Sequence, residues 1–238
     1  MSGPRIRVVN PNTTASMTAS AVAAARRAAP HATVEGSTPS RGVDSVESHV
    51  DEVWGALGVL EQVLAGERAG TDAYVVACFG DTGVPAAREV ARGPVVGMTE
   101  AALLTAALVA HRFTVVTLPR RTREQSDRVV GALGLGHRCV VRAVDVPVAE
   151  VHEDSTHLLE TFVEQGRLAL EEDAAEALVL GCAGLTDLVD PLRARLGVPV
   201  VEGVAAATTL AVALLAQGVG TSRAATWAAP ERLGPVGA

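Results

Sequence analysis

Short runs of apolar residues alternate along the chain with longer segments in which apolar and polar residues recur at helical spacing. The apolar runs predict seven strands, at Arg5–Val9, Ala73–Cys78, Val95–Met98, Phe113–Leu118, Cys139–Val144, Ala177–Cys182 and Val198–Glu202. Segments between them predict helices, as at Ser48–Ala65 and Ser155–Glu172. Near-continuous Val- and Leu-rich strands separated by helices are typical of parallel sheets covered on both faces, so the pattern predicts the α/β class.

The second half of the chain repeats the pattern of the first. The strand that leads to Cys78 and the strand that leads to Cys182, 104 positions later, are both followed by Cys-x-Gly-x-Thr. Two other pairs of segments match in the same order at similar offsets: the Pro-Val-Val segments at 94–96 and 199–201, and the strands at 6–10 and 113–117. These matches predict an internal duplication with two α/β lobes related by a pseudo-two-fold axis. We expect a first lobe over residues 1–105, completed by residues 208–238, and a second over residues 106–207.

The repeat also predicts where a ligand binds. In parallel α/β sheets ligands bind at the carboxyl ends of the strands, and both cysteines lie at such ends, just before a predicted helix. Lobes related by a two-fold axis would place one thiol on each side of a single cleft. Polar residues at other strand ends should surround it, namely Asn10, Asn12, Thr13 and Thr117.

Composition removes several classes of function. The sequence contains no lysine, which excludes pyridoxal-phosphate enzymes with a lysine Schiff base and nucleotide-binding P-loops. A net charge of −7 and an aromatic content of 3% argue against a nucleic-acid partner. The longest apolar stretch, Val204–Ala216, is too short to span a membrane. The N-terminus runs directly into a predicted strand, without the pattern of a secretory signal.

The spacing of cysteines and histidines bears on the redox environment and on metal binding. Three widely spaced cysteines predict a reduced, cytoplasmic protein rather than a disulfide framework. The histidines show no metal-ligand spacing, so we expect no metal and no other cofactor. Cys139 lies inside a strand with no following glycine, which predicts a structural role.

Two opposed thiols fit one kind of chemistry. Racemisation removes a proton from one face of a carbon and returns one to the other face, which two groups of similar pKa can do symmetrically. We expect a helix N-terminus to lower the thiol pKa from about 8.5, so that Cys78 or Cys182 serves as a thiolate base near neutral pH. Peptide N–H groups of the Cys-x-Gly motifs, at Phe79, Gly80, Ala183 and Gly184, could hold a developing enolate oxygen. Asp81 and Thr82 could cap a following helix or bind the ligand.

At these residues the chain resembles a known family. Asn10-Pro11-Asn12-Thr13, Ala77-Cys78-Phe79-Gly80-Asp81 and Gly181-Cys182-Ala183-Gly184-Leu185 look like the corresponding motifs of the hydantoin racemases, in the aspartate/glutamate racemase superfamily. The resemblance implies a two-lobed fold with the active site between the lobes, cofactor-free proton exchange at C5 of a hydantoin ring, and a homo-oligomer. Its implied substrate-binding residues are Asn10, Asn12, Thr13, Phe79, Gly80, Asp81, Thr82, Thr117, Pro119, Ala183 and Gly184.

The residues after each cysteine separate branches of that superfamily. Amino-acid racemases typically have Asn-Thr and Thr-His there, where this chain has Phe79-Gly80 and Ala183-Gly184. Arylmalonate decarboxylases keep only the second cysteine. Thr82 stands where hydantoin racemases commonly carry proline.

Other functions remain open from the sequence. Allantoin, itself a 5-ureidohydantoin, is a close alternative substrate. A maleate isomerase-like enzyme would use one cysteine to add covalently to a double bond. A non-catalytic sensor of small molecules could use the same cleft. A dithiol redox protein fits less well, because the sequence has no Cys-x-x-Cys.

Overall fold

The computed structural model describes residues 3–151 and 156–233. Over these residues the chain forms two four-stranded parallel sheets, which confirms the predicted α/β class and its two lobes. The first sheet has the order β2-β1-β3-β4 and the second the order β6-β5-β7-β8. The strands are β1 (Arg5–Val9), β2 (Thr33–Ser37), β3 (Ala73–Val76), β4 (Val95–Gly97), β5 (Phe113–Thr117), β6 (Cys139–Ala143), β7 (Ala177–Gly181) and β8 (Val200–Glu202).

Helices cover both faces of each sheet. They are α1 (Ala15–Ala28), α2 (His49–Ala69), α3 (Val84–Val90), α4 (Met98–Val109), α5 (Arg123–Ala132), α6 (Leu159–Glu172), α7 (Val189–Leu196) and α8 (Gly203–Ala216). The central strands β3 and β7 are buried at every position, as expected for strands with helices on both faces. None of the helices within the described ranges is long and apolar enough to cross a membrane.

One hydrophobic core joins the two lobes. It contains Val75 of the first sheet and Val179 of the second together with the apolar faces of α4 and α8. The helix α4 follows the first sheet but also packs on β7, and α8 follows the second sheet but packs on β3 and α1. The predicted boundary between residues 105 and 106 therefore lies inside α4, a helix that contacts both sheets.

The structure differs from the sequence prediction in one edge strand and in where several strands end. The strand β2 was not predicted, because its sequence Thr-Val-Glu-Gly-Ser buries only Val34 at the edge of the sheet. Five of the seven predicted strands end one or two residues sooner than expected, so that Cys78 lies two residues beyond β3 and Cys182 directly after β7. The predicted helix start at Ser155 and the chain end at 234–238 lie outside the described residues.

An ion pair anchors the edge of the second sheet. Arg142 of β6 donates to both carboxylate oxygens of Asp173, at 2.7 and 2.8 Å. Asp173 follows α6 and also accepts a hydrogen bond from the Thr114 hydroxyl at 2.9 Å. The Arg142 guanidinium holds the pKa of the Asp173 carboxyl below its ordinary value.

Candidate active site

Both cysteines line one cavity between the lobes. Cys78 comes from the carboxyl end of β3 and Cys182 from that of β7, each at the centre of its own sheet. The cavity has a volume of about 50 Å³, several times the space of about 10–15 Å³ that one water needs. It is lined by Asn10, Asn12, Met17, Val46, Ala77, Cys78, Phe79, Thr117, Leu118, Thr122, Gln125, Val148, Gly181, Cys182, Ala183 and Gly184.

Two equivalent loops close over this cavity. Val46 lies in the loop between β2 and α2, and Val148 in the corresponding loop after β6. The loops are joined across the lobes, since the Glu47 carboxylate accepts a hydrogen bond from the Val148 N–H at 3.2 Å. The valines make this side of the cavity apolar.

Each thiol lies near a polar group of the described chain. The Cys78 sulfur lies 3.4 Å from the Thr82 hydroxyl oxygen. The peptide N–H of Gly184 lowers the pKa of the Cys182 thiol. Both interactions favour the thiolate.

Burial outweighs these hydrogen bonds. The pKa of Cys78 is raised to about 12, mainly by loss of solvent. The Thr82 hydroxyl lowers this pKa, and the nearby Asp81 carboxylate contributes to raising it. Burial likewise raises the pKa of Cys182 to about 11, with a contribution in the same direction from Glu202. With pKa values in this range, both groups are thiols at neutral pH.

This corrects the expectation that helix N-termini lower the thiol pKa. No α-helix begins directly after either cysteine: α3 begins at Val84, and a 3-10 helix over Ala183–Leu188 follows Cys182. The nearby N-termini of α4 and α8 are already neutralised by the carboxylates of Asp81 and Glu202.

Those carboxylates occupy corresponding positions in the two lobes but come from different parts of the sequence. Asp81 accepts hydrogen bonds from the Thr99 and Glu100 N–H groups at 2.8 Å each, at the start of α4. Glu202 does the same for its own helix α8, accepting from the N–H groups of residues 204 and 205 at 2.7 and 2.9 Å. Gly97, the counterpart of Glu202, must be small, because a Cβ there would lie 2.3 Å from the Asp81 carboxyl carbon. Burial raises the pKa of Asp81 to about 6.

The structure brings together part of the expected site. The expected residues that do line the cavity with the cysteines are Asn10, Asn12, Phe79, Thr117, Ala183 and Gly184. The other expected residues, which are not among those lining it, are Thr13, Gly80, Asp81, Thr82 and Pro119.

Those other residues have contacts of their own. The Thr13 hydroxyl donates to the Val43 carbonyl and the Asp44 carboxylate at 3.2 and 2.9 Å. The Gly80 N–H donates to the Thr99 hydroxyl at 2.7 Å, so it is already used within the protein. The carbonyl of Pro119 accepts a hydrogen bond from the hydroxyl of residue 122 at 2.9 Å.

Several cavity residues had no signal in the sequence. Met17 and Gln125 lie on helices, whereas Val46 and Val148 lie in the loops that meet over the cleft. The repeat did not locate these loops, because β2, the strand before the first of them, was not predicted. Cys139 lies in β6, buried and apart from the lining residues. Over the described ranges, His, Cys, Asp and Glu side chains form no group of three or more arranged to hold a metal ion.

Comparison with known proteins agrees with this geometry. Residues 6–211 match the family model described as Asp/Glu/Hydantoin racemase. A hydantoin racemase from Rhizobium meliloti is 42% identical over 94% of this chain and 94% of its own length. One from Pseudomonas sp. (strain NS671) is 39% identical over 98% and 95%. The structure of an allantoin racemase from Klebsiella pneumoniae superposes with a TM-score of 0.93 at 42% identity, covering 97% of this chain and 95% of that one.

The chain therefore belongs to the Asp/Glu/hydantoin racemase family. It has the two-lobed fold of that family, and it is an isomerase of the racemase type.

Proposed function

We propose that this racemase inverts C5 of a 5-substituted hydantoin, with Cys78 and Cys182 as its two acid–base groups. One observation carries the proposal: the carboxyl ends of two equivalent strands bring one thiol each to a single small cavity. A planar ring between the two sulfurs would present one face to each. Relatives over nearly the whole chain are named hydantoin racemase or allantoin racemase, which supports this class of substrate.

The reaction needs only a proton exchange. A thiolate on one side removes the C5 proton, and the electron pair of that bond passes into the ring as an enolate. The thiol on the other side then donates its proton to C5. The product has the opposite configuration, and the two sulfurs have exchanged their protonation states.

The charge of the cavity supports a neutral substrate. None of the described residues that line it has a charged side chain. A free amino acid would bury an ammonium and a carboxylate there without a counter-charge, which is costly. A hydantoin or allantoin ring is neutral and presents only amide N–H and C=O groups. Its C5 hydrogen lies between a carbonyl and a ring nitrogen, so a thiolate is an adequate base.

Donors for the enolate oxygen come from both lobes. Among the described residues, the Asn12 side-chain N–H has only the Met17 sulfur as a partner, at 3.4 Å, and a thioether is a weak acceptor. This amide could turn to a substrate oxygen at little cost. The peptide N–H groups of Phe79 and Ala183 belong to residues of the same cavity and could add to that stabilisation.

Proton NMR in D2O tests the proposal. Single enantiomers of 5-benzylhydantoin and of allantoin are followed with the wild type and with Cys78→Ser, Cys182→Ser and Cys139→Ala. The wild type should exchange the C5 proton and lose optical rotation together, faster than the control without enzyme. Each serine variant should lose racemisation, although one enantiomer can still exchange its proton at the remaining thiol. Cys139→Ala, outside the cavity, should remain active.

Three results would contradict the proposal. Full racemisation by either serine variant excludes a two-thiol mechanism. A lasting covalent adduct on one cysteine indicates addition to a double bond instead. Binding of either compound without exchange indicates a sensor. The relative rates on the benzyl and ureido compounds rank the 5-substituents.

We also propose that the enzyme is a homo-oligomer in a reducing, cytoplasmic environment. Val50, Val53 and Trp54 are 68%, 70% and 47% exposed on one face of α2, which is typical of a surface that meets another subunit. All three cysteines are free thiols, and the mechanism requires two of them to stay reduced. Sedimentation analysis of the wild type and Val53→Asp tests the first point, and recovery of oxidised enzyme by dithiothreitol tests the second.

A further inference from the structure

A buried glutamine among the residues that line the cavity has a side-chain oxygen without a partner. Gln125 lies near the start of α5, is 3% exposed and lines the cavity together with both cysteines. Its side-chain carbonyl oxygen is buried and has no hydrogen-bond donor anywhere in the described part of the chain. Buried polar groups are almost always paired, because an unpaired one loses the hydrogen bond it made to water.

The side-chain oxygens and hydroxyls of the other polar lining residues have partners in the protein, although the Asn12 amide N–H is held only weakly. The Asn10 amide donates to Asn12, Thr14 and Thr18 at 3.0 to 3.1 Å. The Thr117 hydroxyl donates to a backbone carbonyl at 3.0 Å, and the hydroxyl of residue 122 donates to the backbone carbonyls of residues 118 and 119. Among the described residues that line the cavity, Gln125 is the one whose buried side-chain oxygen has no donor.

The first Cys-x-Gly motif makes room for this carboxamide. Gly80 has a φ of +119°, a backbone conformation that favours glycine. A Cβ at this position would lie 3.1 Å from the Gln125 Cβ and 3.3 Å from its amide oxygen. The glycine beside Cys78 therefore leaves space for Gln125, although Gly80 itself is not among the lining residues.

We propose that Gln125 is a specificity-determining residue that binds an amide edge of the substrate ring. A carboxamide places an acceptor and a donor side by side, and the O=C–N–H edge of a cyclic ureide presents the complementary pair. The glutamine oxygen accepts from a ring N–H while its NH2 donates to the adjacent ring carbonyl, as amide side chains do when they read a base edge. This role rests on the function proposed above, and it selects cyclic ureides over ligands that lack a paired N–H and C=O.

Methylated substrates and a substitution at Gln125 test this together. The rates of C5 exchange are compared for 5-benzylhydantoin and its 1-methyl and 3-methyl derivatives, with the wild type and Gln125→Met. Methylation of the nitrogen that Gln125 binds should lower kcat/KM of the wild type by about 10- to 100-fold. The ratio of kcat/KM for the parent to that for the methylated compound should be smaller in Gln125→Met. It should approach the value set by the steric effect of the methyl group, which acts in both proteins.

Gln62 provides a matched control. It is a second buried glutamine whose carbonyl oxygen lacks a donor among the described residues, but it does not line the cavity. In Gln62→Met the parent-to-methylated ratio of kcat/KM should equal that of the wild type. Gln125→Met should also melt no lower than the wild type, because it removes an unpaired buried group, whereas a structural role for Gln125 predicts a lower Tm.

The outcomes are separable. No exchange of the parent hydantoin by the wild type contradicts the proposed function. Exchange of the parent with the same methyl ratios in wild type and Gln125→Met contradicts only the role of Gln125. If the methionine variant does not fold, Gln125→Glu is measured instead. It keeps the acceptor for the ring N–H but loses the NH2 donor to the ring carbonyl, so kcat/KM for the parent hydantoin should fall while the penalty for methylation is retained, and loss of that penalty overturns the role.

Discussion

The high thiol pKa values lead to a steep dependence of activity on pH. Burial keeps Cys78 and Cys182 as thiols, with pKa values of about 12 and 11, yet one of them must be a thiolate to remove the C5 proton. Raising the pH increases the fraction of enzyme that carries a thiolate. The ratio kcat/KM reports the free enzyme, so it should rise with pH.

The size of the effect follows from the lower of the two pKa values. A group with a pKa of about 11 is ionised in roughly one molecule in 10,000 at pH 7 and in roughly one in 100 at pH 9. Between these pH values kcat/KM should therefore rise about 100-fold, with a slope of about 1 on logarithmic axes. The uncatalysed rate is subtracted at each pH, because hydantoins also racemise in base.

Alkylation measures the same ionisation without substrate. Iodoacetamide reacts with the thiolate, and the mass of each modified peptide identifies whether Cys78, Cys139 or Cys182 has reacted. The alkylation rate of Cys78 and of Cys182 should rise about tenfold per pH unit up to pH 9. A plateau of either rate below pH 8 would refute the conclusion that burial dominates the thiol pKa, and would restore the expectation of a preformed thiolate.

Three further predictions concern residues around the site and the second sheet. Gly97→Ala should displace Asp81 from the start of α4, and the free energy of unfolding in urea should fall by about 1–2 kcal/mol. Thr82→Val removes the hydrogen bond to Cys78, so alkylation of that cysteine alone should slow about fivefold at pH 8; an equal rate would show that the hydroxyl does not stabilise the thiolate. Asp173→Asn breaks the ion pair to its arginine and should lower the free energy of unfolding by about 1–3 kcal/mol at pH 7. Because that carboxyl has a lowered pKa, the wild type loses this stabilisation as the pH falls below about 4, and the difference between the proteins should disappear there.

The repeat in the sequence accounts for most of what could be predicted. Matching strands located both cysteines at carboxyl ends, and parallel-sheet geometry then placed them in one cleft. The edge strand β2 escaped because a strand with one buried residue has no apolar run. Local pattern could also not reveal that α4 and α8 each pack on both sheets, since such contacts depend on how the lobes dock.

Gln125 was not predicted as a cavity residue for a related reason. It stands in the polar run Arg-Glu-Gln-Ser-Asp at residues 123–127, which has the composition of a solvated helix start. In the structure it is buried and lies close to Gly80 of the first lobe, a contact that the local sequence does not reveal. The thiol pKa was predicted in the wrong direction because a sequence does not show how completely a side chain is removed from water, and burial is the largest influence on both cysteines.

The two buried carboxylates at the starts of α4 and α8 make the two faces of the reaction unequal. Asp81 lies three residues after Cys78, so the first thiol and its neighbouring acid belong to one short loop, whereas Glu202 is twenty residues beyond Cys182. Enantiomers have equal free energies, and their interconversion has an equilibrium constant of one. Thermodynamics then requires kcat/KM to be the same in both directions, however different the two thiols are. The asymmetry can appear only as differences in kcat and KM that cancel in their ratio. The two enantiomers would then saturate the enzyme at different concentrations but have the same kcat/KM.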